Sequence, residues 1–370
     1  MYLYRWAIWK AHGGIPGTIS LFYGEGTMSE FTQRLKSAVL LLLNKRQPPS
    51  GRVNYLSPIT EAELADIKRF FPMPKFFIFG HARSGTTLLA RLVRLHPEVH
   101  CNWQAHFFTR PPFLSALVED AAVQEWLGRR SNRWNGGSNL STAVLRAAAD
   151  FVLEREAARL GKSIVGDKSP NSLVHGQSVQ RAFQIYPDAK LIYILRDGRD
   201  TILSHRFQSF IDSVQHLSAQ DLKIREEFAK DPIPFLQGEK SVFTSAAFQR
   251  AVEEWIKNVE QTIDLGRKLY QEAFYVVRYE DLIANPWQEM LQLWRFLGAT
   301  EDQSLQESVS QEIQANPDAE WQTQKATEIA QLLPKGKSAV WKQILTPAEK
   351  QTFLLKARHI LEQWGYPTQE

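Results

Sequence analysis

The stretch "FGHARSGTTLLARL", Phe79–Leu92, decides how this 370-residue chain is read. Gly80 and Gly85 keep the spacing of the phosphate-gripping pattern G-x-x-x-x-G-K-[ST], but Thr86 stands where that pattern has its lysine. Leu88, Leu89, Leu92 and Val93 share one helical face, so a helix is expected to open over Ser84–Thr87. The free N–H groups of its first turn and its dipole suit an anion. Gly85 lets the backbone come close, and the hydroxyls of Thr86 and Thr87 add donors. The missing lysine would have reached the β- and γ-phosphates, so a nucleoside triphosphate is disfavoured and a shorter 5′ group is expected. Arg83 can supply the positive charge as a planar fork suited to oxyanions. A Gly-Thr turn opening an ordinary helix is the competing reading.

Working outward, "KFFIFG", "SIVGD", "AKLIYILRDG" and "AFYVVRYED" are short apolar runs separated by helical stretches. Unalternating runs suit strands buried on both faces, which predicts an α/β architecture with a mostly parallel central sheet flanked by helices. In such sheets ligands lie at the carboxyl ends of the strands. The residues there are polar: Gly80 to Thr87, then Asp167, Lys168 and Ser169, then Arg196 to Arg199, then Arg278 to Asp281. Arg196 and Ser204 are candidates for a second anion site, provided the chain between them folds back. A solvated ion-pair cluster of Arg196, Asp197, Arg199 and Asp200 is the other account. "PKGKSAVWK", Pro334–Lys342, offers a Lys-Gly-Lys turn at Lys335 and Gly336 whose amides suit a further phosphate.

Composition narrows the class. An apolar fraction of 44% with 11 tryptophans describes a globular chain with a sizeable core. A single cysteine, Cys101, rules out an intrachain disulfide framework and fits a reducing compartment, so a cytoplasmic location is expected. No run approaches the roughly 18 apolar residues of a membrane span, although the opening "MYLYRWAIWKAHGG" leaves a surface-lying segment open. The net charge of +4 is compatible with an anionic ligand. Residues 1–75 read as an N-terminal appendage with an amphipathic stretch near Phe31 to Leu43, and residues 76–365 as the main domain.

Taken in order, these motifs resemble the sulfotransferase family that uses 3′-phosphoadenosine 5′-phosphosulfate (PAPS). "RSGTTLL" at Arg83–Leu89 resembles the loop for the 5′-phosphosulfate, and "LRDGRDTILS" at Leu195–Ser204 the segment whose arginine and serine hold the 3′-phosphate. "VRYEDLIANPWQEMLQLWRFLG" at Val277–Gly298 and "KGKSAVW" at Lys335–Trp341 are similar to the family's later blocks. The resemblance implies a P-loop-like sulfotransferase fold and PAPS as co-substrate. It also implies a cofactor set of Arg83, Ser84, Gly85, Thr86, Thr87, Arg196, Ser204, Tyr279, Lys335 and Gly336.

The implied reaction is in-line sulfuryl transfer to a hydroxyl or amine, with no metal required because Arg83 and Lys168 can neutralise the leaving oxygen. The sequence departs from the family at the general base. Gln104 stands where many relatives have glutamate, and Pro170 where others have histidine two residues after the lysine. His106 is the nearest candidate base, with His175, His81 and Asp167 as alternatives. The acceptor class, small molecule, carbohydrate, lipid or peptide, is open, and no nucleic-acid partner is expected. Two other readings stand beside this one: a sulfotransferase-fold binding protein without turnover, and a P-loop kinase.

Overall fold

The computed structural model describes residues 56–315 and 339–368. Five strands form one sheet: β1 (Lys75–Gly80), β2 (Val99–Trp103), β3 (Ile164–Lys168), β4 (Lys190–Leu195) and β5 (Phe274–Arg278). Their order is β2-β3-β1-β4-β5, and every neighbouring pair is parallel. The α/β expectation therefore holds. The four apolar runs read from the sequence became β1, β3, β4 and β5. β2 was not anticipated, because "VHCNW" is a half-polar edge strand that pairs only with β3.

Both faces of the sheet are covered over its central strands, which is why β1 and β4 read as apolar runs. Phe77, Phe79, Leu191, Tyr193 and Leu195 point to one core, shared with helices Ser141–Arg159, Gln177–Ile185, Ser245–Tyr270 and Pro347–Gln363. Phe76, Ile78, Ile192 and Ile194 point to the other, against helices Thr86–Val93 and Pro286–Leu297. Trp294 fills this second core and its Nε1 donates to the Val93 carbonyl at 3.2 Å, fixing the loop helix to the layer behind it. Buried charges serve the first layer. Lys75 at the start of β1 pairs with Glu154, and Arg146 pairs with Asp150 at 2.8 Å and Asp188 at 2.7 Å.

Residues just before β1 also join this body: Thr142 Oγ1 donates to the Ser57 carbonyl at 2.6 Å, and Lys68 pairs with Asp188 at 2.8 Å. No described helix is long and apolar enough to cross a membrane. The amphipathic stretch near Phe31 to Leu43 lies outside the described residues, as do Lys335 and Gly336.

β1 lies between β3 and β4, and the chain leaves it toward β2 and β3 before returning across it to β4. The carboxyl ends of β3, β1 and β4 thus flank the point where the direction of travel reverses, the place where open α/β sheets bind ligands.

Candidate functional site

At the end of β1 the loop His81–Gly85 leads into the helix Thr86–Val93, one residue-pair later than the sequence suggested. Gly85 caps that helix with φ 92°, a left-handed conformation costly for any residue with a Cβ. A Cβ there would also stand 2.4 Å from Cδ2 of Tyr279. Glycine is required twice over. Leu89 is the first residue whose N–H returns to the Gly85 carbonyl, at 3.0 Å, so the preceding amides form the open, positively polarised end of the helix.

The loop is tied to the rest of the carboxyl edge through Arg83, which sits at φ 73°. Its Nε donates to Ser204 Oγ at 3.1 Å, and its carbonyl accepts from Arg196 Nη1, also at 3.1 Å. Arg196 lies 4.5 Å above the ring of Tyr279, a cation–π distance. Tyr279 follows β5 and is buried against Gly85. The chain after β4 does fold back, since Arg196 directly follows the strand, Ser204 lies on helix Gly198–Asp212, and both bond Arg83. Arg83, Gly85, Arg196, Ser204 and Tyr279 form one connected cluster, with Ser84 and Thr86 buried beneath it.

Lys168 ends β3, in register with Ile78 of β1 and Trp103 of β2. Its Nζ donates to Thr87 Oγ1 at 3.4 Å, which brings the lysine to the loop. Burial lowers its pKa, opposed by neighbouring Cys101 and Asp167. Trp103 stands with its ring centroid 5.1 Å from that Nζ. Sequence reasoning passed over this residue, because a tryptophan carries no motif and its strand was not foreseen. Asp167 points away: its Oδ2 accepts from Ser169 Oγ at 2.6 Å and its Oδ1 from the Ala105 N–H at 2.9 Å.

The segment after β2 holds the candidate base. Gln104 is exposed at φ 51°, its N–H donating to the Lys168 carbonyl at 2.8 Å. His106, at φ 53°, donates its N–H to Ser169 Oγ at 3.0 Å, and its Nδ1 lies 2.8 Å from Thr109 Oγ1. That contact occupies one ring nitrogen and leaves Nε2 to face elsewhere. Burial, with Arg110 and Lys168, lowers its pKa, so the imidazole is neutral near pH 7 and able to accept a proton.

The alternative bases are placed differently. His81 Nδ1 donates to the Ala82 carbonyl at 2.8 Å, and burial beside His205 lowers its pKa to about 3. His175 Nε2 contacts Glu254 at 2.8 Å, on the helix Ser245–Tyr270. Asp167, pushed up to about 6 by burial, already accepts two hydrogen bonds.

The group Asp197, Arg199 and Asp200 is not a solvated cluster, because all three are buried. Asp197 caps helix Gly198–Asp212 and takes Arg199 at 2.7 Å. Arg199 lies 3.7 Å over the Trp341 ring, and Asp200 accepts the N–H groups of Ala339 at 2.6 Å and Trp341 at 3.0 Å. These residues moor the chain that follows Lys335 and Gly336 next to Arg196.

Comparison with known proteins bears on this geometry. The model of the Sulfotransferase family matches residues 74–303. The protein-tyrosine sulfotransferase of Drosophila melanogaster is 24% identical over 233 residues, covering 61% of this chain and 38% of that protein. Protein-tyrosine sulfotransferase 2 of Gallus gallus is 26% identical over 234 residues, covering 61% of this chain and 51% of that protein. The chain thus spans about half, or less, of the length of these relatives. Among solved structures, the sulfotransferase domain of the Synechococcus PCC 7002 olefin synthase is 18% identical with a TM-score of 0.44, covering 80% of this chain and 95% of that one.

Proposed function

This chain belongs to the sulfotransferase family, and from that premise we propose that it transfers a sulfuryl group from PAPS to an acceptor hydroxyl or amine. The observation that carries the proposal is the double tie of Arg83 to Ser204 and Arg196, which couples the loop after β1 to the residues after β4. Two separate anion-binding elements held at fixed distance suit a nucleotide with a 5′ and a 3′ charged group, and a loop without a lysine suits a 5′ group with no third unit.

In this reading the first-turn amides of helix Thr86–Val93, with Ser84, Gly85, Thr86 and Thr87, hold the 5′-phosphosulfate, while Arg196 and Ser204 hold the 3′-phosphate. Tyr279 packs beneath both. Lys335 and Gly336 keep their place in the set on sequence alone. Lys168 and Arg83 stabilise the charge that develops on the leaving phosphate oxygen. The acceptor oxygen forms its bond to sulfur as the bond from sulfur to that oxygen breaks, and adenosine 3′,5′-bisphosphate leaves. His106 takes the acceptor proton, held in orientation by Thr109.

The names of the relatives support a tyrosine hydroxyl of a peptide or protein as the first acceptor to assay. The decisive experiment is thermal. Adenosine 3′,5′-bisphosphate should raise the melting temperature and magnesium-ATP should not, and the reverse ranking would sink the proposal. Binding of the bisphosphate with no transfer to any hydroxyl or amine would favour the reading as a binding protein, which Gln104 in place of glutamate keeps alive.

A further inference from the structure

Lys168 is one of the most deeply buried cations among the described residues, at 1% exposure, and its contacts there are a hydroxyl and a ring rather than a carboxylate in ion-pair contact. Asp167, its neighbour on β3, turns instead to Ser169 and Ala105. What the ammonium does meet is Thr87 Oγ1 at 3.4 Å and the ring of Trp103 at 5.1 Å from its centroid. β2 and β3 pair Trp103 with Lys168 in register, so the two side chains leave the sheet on the same side. The Gln104 N–H, bonded to the Lys168 carbonyl at 2.8 Å, fixes the backbone just beyond the tryptophan.

We propose that Trp103 is a positioning residue for Lys168, its indole face holding the ammonium beside Thr87 at the loop. An aromatic quadrupole attracts the cation yet leaves its full charge for a developing oxyanion, whereas a carboxylate would neutralise it. Trp103 is 45% exposed, so its ring is not required to fill a core. The role rests on the reading that Lys168 faces the transferred group. The other ionisable groups that act on Lys168 are Cys101 on β2 and Asp167 on β3; Arg94 lies 5.4 Å from the Trp103 ring and His106 feels the lysine's charge.

The test reads Lys168 directly and does not depend on turnover. Protein labelled with ¹³C,¹⁵N-lysine is titrated by NMR, and Lys168→Met assigns the signal. Trp103→Leu keeps the site covered but removes the π face, so the ammonium loses support and its pKa should fall by about 0.5–1.5 units relative to native. Trp103→Phe restores a face and should stay within about 0.3 units of native. The alkaline limb of any sulfuryl-transfer rate should move down with the same ranking. An unshifted Lys168 in Trp103→Leu, or a Trp103→Phe protein indistinguishable from Trp103→Leu, overturns the proposal. Because the titration needs no acceptor, a chain without transferase activity would refute the proposed function and still decide this point.

Discussion

Replacing Gly85 by alanine attacks the site at its tightest contact. The new Cβ would lie 2.4 Å and 2.7 Å from Cδ2 and Cε2 of Tyr279, against an ordinary carbon contact of about 3.5 Å, so the ring must retreat by about 1 Å. The ring cannot retreat without disturbing Arg196, which rests 4.5 Å above it. Holding alanine at φ 92° costs about 1 kcal/mol and the overpacking about 1–3 kcal/mol more, or roughly 3 kcal/mol together. At about 2–4 °C per kcal/mol, the melting temperature should drop by about 6–12 °C. The steric part should largely vanish when Tyr279→Ala is added, so the two substitutions should couple in a double-mutant cycle. Differential scanning fluorimetry with and without adenosine 3′,5′-bisphosphate measures all of this, and the bisphosphate-induced rise should shrink in Gly85→Ala. Strictly additive single and double variants, or a Gly85→Ala protein with native melting and a native bisphosphate response, would refute the account of the contact.

Three further outcomes are expected. Arg196→Ala should weaken adenosine 3′,5′-bisphosphate roughly ten- to a hundredfold by calorimetry, while an analogue lacking the 3′-phosphate loses much less; equal losses would make Arg196 structural only. His106→Ala should lower turnover by about 10² to 10⁴ with bisphosphate affinity intact. The native rate should rise with pH through a midpoint below the ordinary histidine value, because burial, Arg110 and Lys168 disfavour its charged form. A flat profile, or near-native turnover in the variant, would leave Gln104 merely orienting an acidic acceptor. For His81 the folded pKa of about 3 lies below its unfolded value of 6.5. Its contribution to stability is complete above pH 6.5 and is lost as pH falls toward 3, at about 1.4 kcal/mol per pH unit. Denaturant midpoints between pH 6 and 4 should therefore fall less steeply in His81→Asn, and parallel slopes would contradict the assignment.

The sequence shows its buried centre more readily than its connections. β1, β3 and β4 were legible because two covered faces force buried apolar runs, β5 because its edge run "FYVVR" is apolar although half-buried, and the loop because its glycine spacing is a backbone requirement. β2 escaped because His100 and Asn102 interrupt its short run, which then has no apolar signature. The candidate cofactor residues could be named one at a time. The bond between Arg83 and Ser204 could not be read, since it spans 121 residues and depends on where β1 and β4 lie in the sheet. The same holds for the packing of Tyr279 on Gly85, a contact across the sheet that neither local segment announces. The buried mooring of the chain at Asp200 was hidden for a different reason. Four charges within five residues look hydrated unless one knows that Trp341 and the amide of Ala339 come to meet them.

The order in which the cluster's parts emerge during synthesis has a consequence of its own. Arg83, Lys168, Arg196 and Ser204 are made well before Tyr279, and the strand that delivers Tyr279 is the outermost on its side of the sheet. A nascent chain stopped before Phe274 already possesses both arginines, yet nothing seals the underside of Gly85. Under the proposed function, nucleotide capture would be a late event. On the proposed function, a ligand that needs the finished floor would stabilise only polypeptides that have added β5.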